Sequence, residues 1–149
     1  MKNAVLSLLA TAIYIAAPTS SALAHHSHPY FYDVCKTVTV EGLVDRVEFK
    51  DPHTLIFLKT DEGTAYTVDW AGLRGLTNNN WLGPAKDSLV FGARIAVTGA
   101  RIRTTAEIRE HFPEFTSVNN PNTLDPTLIR RVDNSWSWAS GASPTCKGK

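Results

Sequence analysis

Apolar and polar positions alternate through most of the chain after residue 36, and the alternation changes phase once. In residues 37–49, Val38, Val40 and Val44 share one parity with Gly42, whereas Val47 and Phe49 take the other. Side chains along a strand alternate between its faces, so one buried face cannot hold both sets unless a residue is inserted. A bulge or sharp bend near Asp45-Arg46 is therefore expected, with Gly42 easing the curvature. Asp51-Pro52 ends this strand, because proline supplies no ladder donor. Residues 53–60 hold the run Leu55-Ile56-Phe57-Leu58, which suits a strand covered on both faces or rolled into a barrel. Asp61-Glu62-Gly63 is a tight-turn signal. Residues 64–70 alternate cleanly, Tyr66, Val68 and Trp70 against Thr67 and Asp69, which predicts a strand with one wet face.

The period then changes. Leu73, Leu76 and Trp81, interrupted by Asn78-Asn79-Asn80, predict a short, poorly capped helix or helical turn within residues 71–81. Alternation resumes over 93–102, with Ile95 and Val97 inward. Residues 127–132 are the last strand candidate. A long bent first strand, a hairpin, a helix and two further strands form the order of a five-stranded OB-like barrel, all-β with a short helix. The bend favours closure over an ordinary antiparallel sheet, because a barrel needs one strand shared between two sheet halves. Between the last two strands lies an insertion at about 104–126. Thr104 and Glu107 match a capping box there, and Ile108, Phe112 and Phe115 form a small apolar set. Such an insertion either serves a function or covers one end of the barrel.

The first 24 residues read as an address. One positive charge precedes an uncharged run from Ala4 to Ala17, and Ala22-Leu23-Ala24 forms a cleavage site, the layout of a secretory signal peptide. The alternative is an uncleaved membrane anchor, for which the run is short. Cleavage removes Lys2, so 15 basic and 14 acidic residues become equal in number. A periplasmic or secreted domain with no stable membrane insertion is expected. Balanced charge argues against a nucleic-acid partner held by phosphate contacts. The expected organisation is signal peptide 1–24, His-rich arm 25–36, barrel 37–133 and tail 134–149.

Export places the two cysteines, Cys35 and Cys146, in an oxidising space, where a disulfide between them is expected. Free thiols or soft metal ligands are the alternative. The histidines carry the candidate chemistry. Cleavage after Ala24 makes His25 the new N-terminus, followed by His26, Ser27 and His28. A free α-amine and the imidazole of one residue can chelate Cu(II) in tetragonal geometry, with His26, His28 or His53 as a further ligand. A polar leader whose histidines do nothing specific is the competing reading, and His53 itself more often makes a turn hydrogen bond. His111 reads as a solvated helix end, and Trp70 and Trp81 read as core. No paired carboxylates, nucleophile–base pair or phosphate loop supports turnover, so no enzyme is expected. A copper oxidase with a histidine brace at His25 is the enzymatic alternative.

The chain resembles the DUF6152 family, small exported bacterial proteins of unknown function. The resemblance rests on Ala24-His25-His26-Ser27, on the stretch from Gly42 to Phe49, and on Asp51-Pro52-His53. It continues through Trp70, the stretch from Leu73 to Trp81, Phe91-Gly92 and Val97-Thr98-Gly99. It spans most of residues 22–102 and weakens in the insertion and the tail. It implies an OB-like periplasmic domain and no activity. Both histidine elements, His25-His26 and His53, match the family pattern. The expectation is an exported, non-enzymatic binding domain that coordinates copper through its N-terminal histidines. The alternative is a structural or interaction module with an envelope or periplasmic partner and no metal.

Overall fold

In the computed structural model, which describes residues 28–141, the phase change in the first apolar run is a bend. A single helical turn, α1 (His28–Phe31), leads into β1 (Tyr32–Glu48). β1 pairs antiparallel with β2 (His53–Lys59), and the register jumps between Val44, opposite Leu58, and Arg46, opposite Phe57. Asp45 is the extra residue. The slip lets Val40 and Val44 before it and Val47 after it all reach the core. β1 passes so near β2 that a Cβ on Gly42 would stand 2.5 Å from the Lys59 carbonyl oxygen, an approach that only glycine admits.

The bend divides β1 between two partners. Its later part pairs with β2, and its earlier part pairs with β4 (Arg94–Ile102). β2 continues into β3 (Ala65–Ala71), and β4 pairs with β5 (Thr123–Arg131). A parallel pairing of Thr67 with Thr123 and Val68 with Leu124 joins β3 to β5. The circuit β1–β2–β3–β5–β4–β1 is a closed five-stranded barrel in OB-type order. A three-residue β6 (Ser137–Ala139) extends β5. Ile56, Leu58, Val68, Trp70, Ile95, Val97, Leu124 and Ile129 fill the interior, each at most 2% exposed. Leu76 of α2 (Leu73–Asn78) and Ala85 of α3 (Leu82–Ser88) join the same core.

Several boundaries differ from the sequence expectation. β1 starts at Tyr32 rather than 37, so part of the expected arm is strand. The short helix expected within 71–81 is α2, and a second helix, α3, follows it. Asn80 adopts a left-handed φ of 58° between them, which asparagine tolerates. Trp81 therefore sits in a joint and is 37% exposed, not core like Trp70. β5 begins at Thr123, not 127, and contains Pro126. The register slips there, with Thr98 opposite Leu128 and Gly99 opposite Pro126, so the missing proline N–H falls at a bulge. The insertion consequently ends at 122. It holds α4 (Thr105–Arg109), whose N-terminus is the expected capping box: Glu107 accepts from Thr104 N at 2.8 Å while Thr104 Oγ1 accepts from Glu107 N.

Candidate functional site

The outer face of the β2–β3 hairpin is not a plain wet face. His53, Leu55 and Phe57 of β2 and Thr67 and Asp69 of β3 point away from the barrel interior, and they form one wall of a groove of about 550 Å³. The insertion supplies the opposing wall with Phe115, Val118 and Asn120, and Phe31 and Tyr32 close it near the start of β1. The insertion is braced from both sides. Arg109 donates to the carbonyl oxygens of Phe115 and Thr116 at 2.6 and 2.7 Å. Asn120 donates to Thr67 Oγ1 at 3.0 Å. Phe31 stacks on Phe112, with ring centroids 5.4 Å apart, and meets Phe115 edge-on.

Three polar side chains line up in the groove. His53 Nδ1 stands 2.6 Å from Asp69 Oδ1, and Tyr32 Oη donates to Asp69 Oδ2 at 2.7 Å. β-Pairing sets this arrangement. His53 lies opposite Ala71 and Leu55 opposite Asp69, so His53 and Asp69 are diagonal neighbours on one face, within reach of a long side chain. Tyr32 reaches them from β1, opposite Ile102 of β4. Burial, the charge of Asp69, the hydrogen bond to it and the charge of Asp125 all push the Tyr32 phenol above its ordinary range. Tyr32 is thus a neutral donor to Asp69 Oδ2, while Asp69 Oδ1 faces His53 Nδ1.

With Nδ1 facing the Asp69 carboxylate, Nε2 is the ring nitrogen suited to bind a metal. The groove's hydroxyls are committed elsewhere. Thr67 Oγ1 accepts from Asn120, Thr123 Oγ1 donates to the Asn120 carbonyl oxygen, and Ser117 Oγ donates to Asn119 Oδ1. None is placed as a nucleophile on His53.

Of the expected site residues, His53 is the one the structure sets in the groove. The backbone of His28 opens α1. His25 and His26 lie outside the described residues, as does Cys146, while Cys35 lies exposed on β1. Among the described residues no three histidine, cysteine, aspartate or glutamate side chains converge as a metal site. His111 is exposed and packs edge-on against Tyr30, with centroids 4.8 Å apart. Asp69 and Tyr32 were not singled out from the sequence. Asp69 reads as one polar position in an alternating strand, and Tyr32 precedes the recognisable strand pattern.

Among known families, a model described as a family of unknown function, DUF6152, matches residues 12–108. The matched span takes in Tyr32, His53 and Asp69 and ends within α4. No curated protein and no solved structure matches.

Proposed function

The chain belongs to the DUF6152 family, and from that premise we propose that it is an exported, non-enzymatic binding domain that coordinates copper through its mature N-terminal histidines and His53. The observation that carries this reading is the Tyr32–Asp69–His53 chain. Histidines that ligate metals regularly donate their other ring N–H to a carboxylate, which fixes the tautomer and the ring orientation. His53 has that carboxylate, and the carboxylate is itself anchored.

The remaining ligands would come from His25, His26 and His28. Tyr32 lines the same groove as His53; the helical turn over His28–Phe31 rises about 6 Å and three extended residues before it add at most about 11 Å, so cleavage after Ala24 would leave the new amine within about 17 Å of Tyr32. Nitrogen ligands and tetragonal preference favour Cu(II) over Zn(II). The α-amine (unperturbed pKa about 7.7–8.0) and imidazole (about 6.5) must both release protons, so binding weakens steeply as the pH falls through about 6.

Copper titrations of three forms test the proposal: protein with its native N-terminus, protein with one extra residue before His25, and His53→Ala. The extra residue is expected to weaken binding at least tenfold. Unchanged affinity would remove the amine as a ligand and with it the proposal. If His53→Ala alone is silent, the histidine arm is a local chelate with no tie to the barrel.

A second reading has its own support. Val90 and Phe91, in the turn before β4, are 49% and 81% exposed. An interaction module of the cell envelope without metal would use such a tip as a contact. That reading predicts a partner captured by the wild type and lost with Phe91→Ser, whatever the copper content.

A further inference from the structure

The groove has more to offer than a metal ligand at one end. We infer that its apolar reach, between Leu55 and Phe57 of β2 and Phe115 and Val118 of the insertion, is a binding site for a small amphipathic molecule with a flat or branched apolar body and one polar group. This goes beyond the copper reading and does not depend on it.

The first support is the kind of side chain on the outer face. An exposed hairpin face normally carries polar residues. Here Leu55 and Phe57 occupy outward positions, are half-buried and face the insertion across the groove. The second is size. About 550 Å³ falls within the roughly 300–1,000 Å³ usual for small-molecule sites, and the β2 rise places Phe57 about 13 Å from His53.

The third support is the state of the polar lining. Asp69 Oδ2 accepts from Tyr32, and His53 Nδ1 stands 2.6 Å from Asp69 Oδ1. Asn120 donates to Thr67 and accepts from Asn122 N at 2.9 Å. Among the described lining residues, Asp69 and His53 are the ones able to carry charge, and they face each other. A strongly charged or polyhydroxylated ligand would lose hydration along these walls without regaining hydrogen bonds. An apolar body loses nothing there, and a single polar group suits the His53 end. At the far end the Arg46 guanidinium lies 3.5 Å from the centroid of the Phe57 ring, so a cation–π contact holds that wall in place.

The test uses the purified, copper-free chain at neutral pH and N-phenyl-1-naphthylamine, a neutral fluorescent probe with an aromatic body and one N–H group. Saturable binding of one probe per chain with blue-shifted emission is expected. In amide NMR of the wild type, the shifts should move at Leu55, Phe57, Thr67 and Val118. Val118→Trp, which fills the groove, should weaken binding at least tenfold, and Phe91→Ser should leave it unchanged. The proposal is overturned by non-saturable binding, by shifts centred on Phe91 or Trp81, or by unchanged affinity in a folded Val118→Trp. The wild-type NMR map decides the matter even if that variant fails to fold.

Discussion

Replacing Tyr32 with phenylalanine isolates the strut that holds Asp69. The ring is 6% exposed and its hydroxyl donates to a carboxylate at 2.7 Å. Losing a hydrogen bond to a charged group costs about 1.5–3 kcal/mol, so Tyr32→Phe should lower unfolding free energy by that amount at pH 7. The pH dependence supplies a sharper check. The folded-state pKa of Tyr32 is raised, chiefly by burial and then by Asp69, above an unfolded value of about 10. Stability from a raised pKa is complete below the unfolded value and declines as the pH climbs above it, because the unfolded chain releases the proton first. The slope is about 1.4 kcal/mol per pH unit, and the loss reaches about 1.4 kcal/mol at pH 11. Phenylalanine has no such proton, so the gap between wild type and variant should narrow by that amount between pH 9 and 11. Urea denaturation of both proteins across that range measures it, and the difference cancels the lysines that titrate nearby. Parallel curves would refute the view that Tyr32 is a buried neutral donor to Asp69.

Gly42→Ala places a Cβ 2.5 Å from the Lys59 carbonyl oxygen, so strands β1 and β2 must separate; a loss of about 1–3 kcal/mol in urea denaturation is expected. Thr104→Ala breaks the capping box and should cost about 1 kcal/mol, seen as faster amide exchange in α4. Hydrogen bonds from the Thr104 backbone and side chain hold Glu107 below the usual carboxylate range. Its support of the cap should therefore be present at neutral pH and vanish as the pH falls below about 4 through the depressed folded value. We also expect Cys35 and Cys146 to be bridged, which predicts an intact mass two hydrogens lighter before reduction than after and a linked pair in peptide mapping. Two free thiols in the non-reduced protein would contradict this.

Much of the barrel was legible because its cause is local. The parity change between Val44 and Val47 predicts an inserted residue, and the register jump at Asp45 is that residue. The all-apolar run from Leu55 to Leu58 implies a strand covered on both faces or rolled into a barrel; Ile56 and Leu58 face the barrel core, and Leu55 and Phe57 line the groove. The helix break depends on a left-handed Asn80, which the repeated asparagines hint at without locating it. Pro126 argues against an early start for β5 until the slip opposite Gly99 is known. The site was half legible. His53 stands out as a histidine at a strand start after Asp51-Pro52, but its partners lie on the neighbouring strands β3 and β1. Asp69 meets it only through the β2–β3 register, and Tyr32 arrives from β1. Neither contact leaves a trace in residue spacing.

The proposed function stands or falls on whether His53 and the mature N-terminus hold the same metal ion. Pulsed EPR of the Cu(II)-loaded protein, carrying His25 as its first residue, counts the imidazoles bound to copper through the couplings of their remote nitrogens. Comparison of the wild type with His53→Ala should show one imidazole fewer in the variant, with the α-amine coupling retained. Identical spectra from the two proteins would contradict the account, leaving the copper on the histidine arm alone.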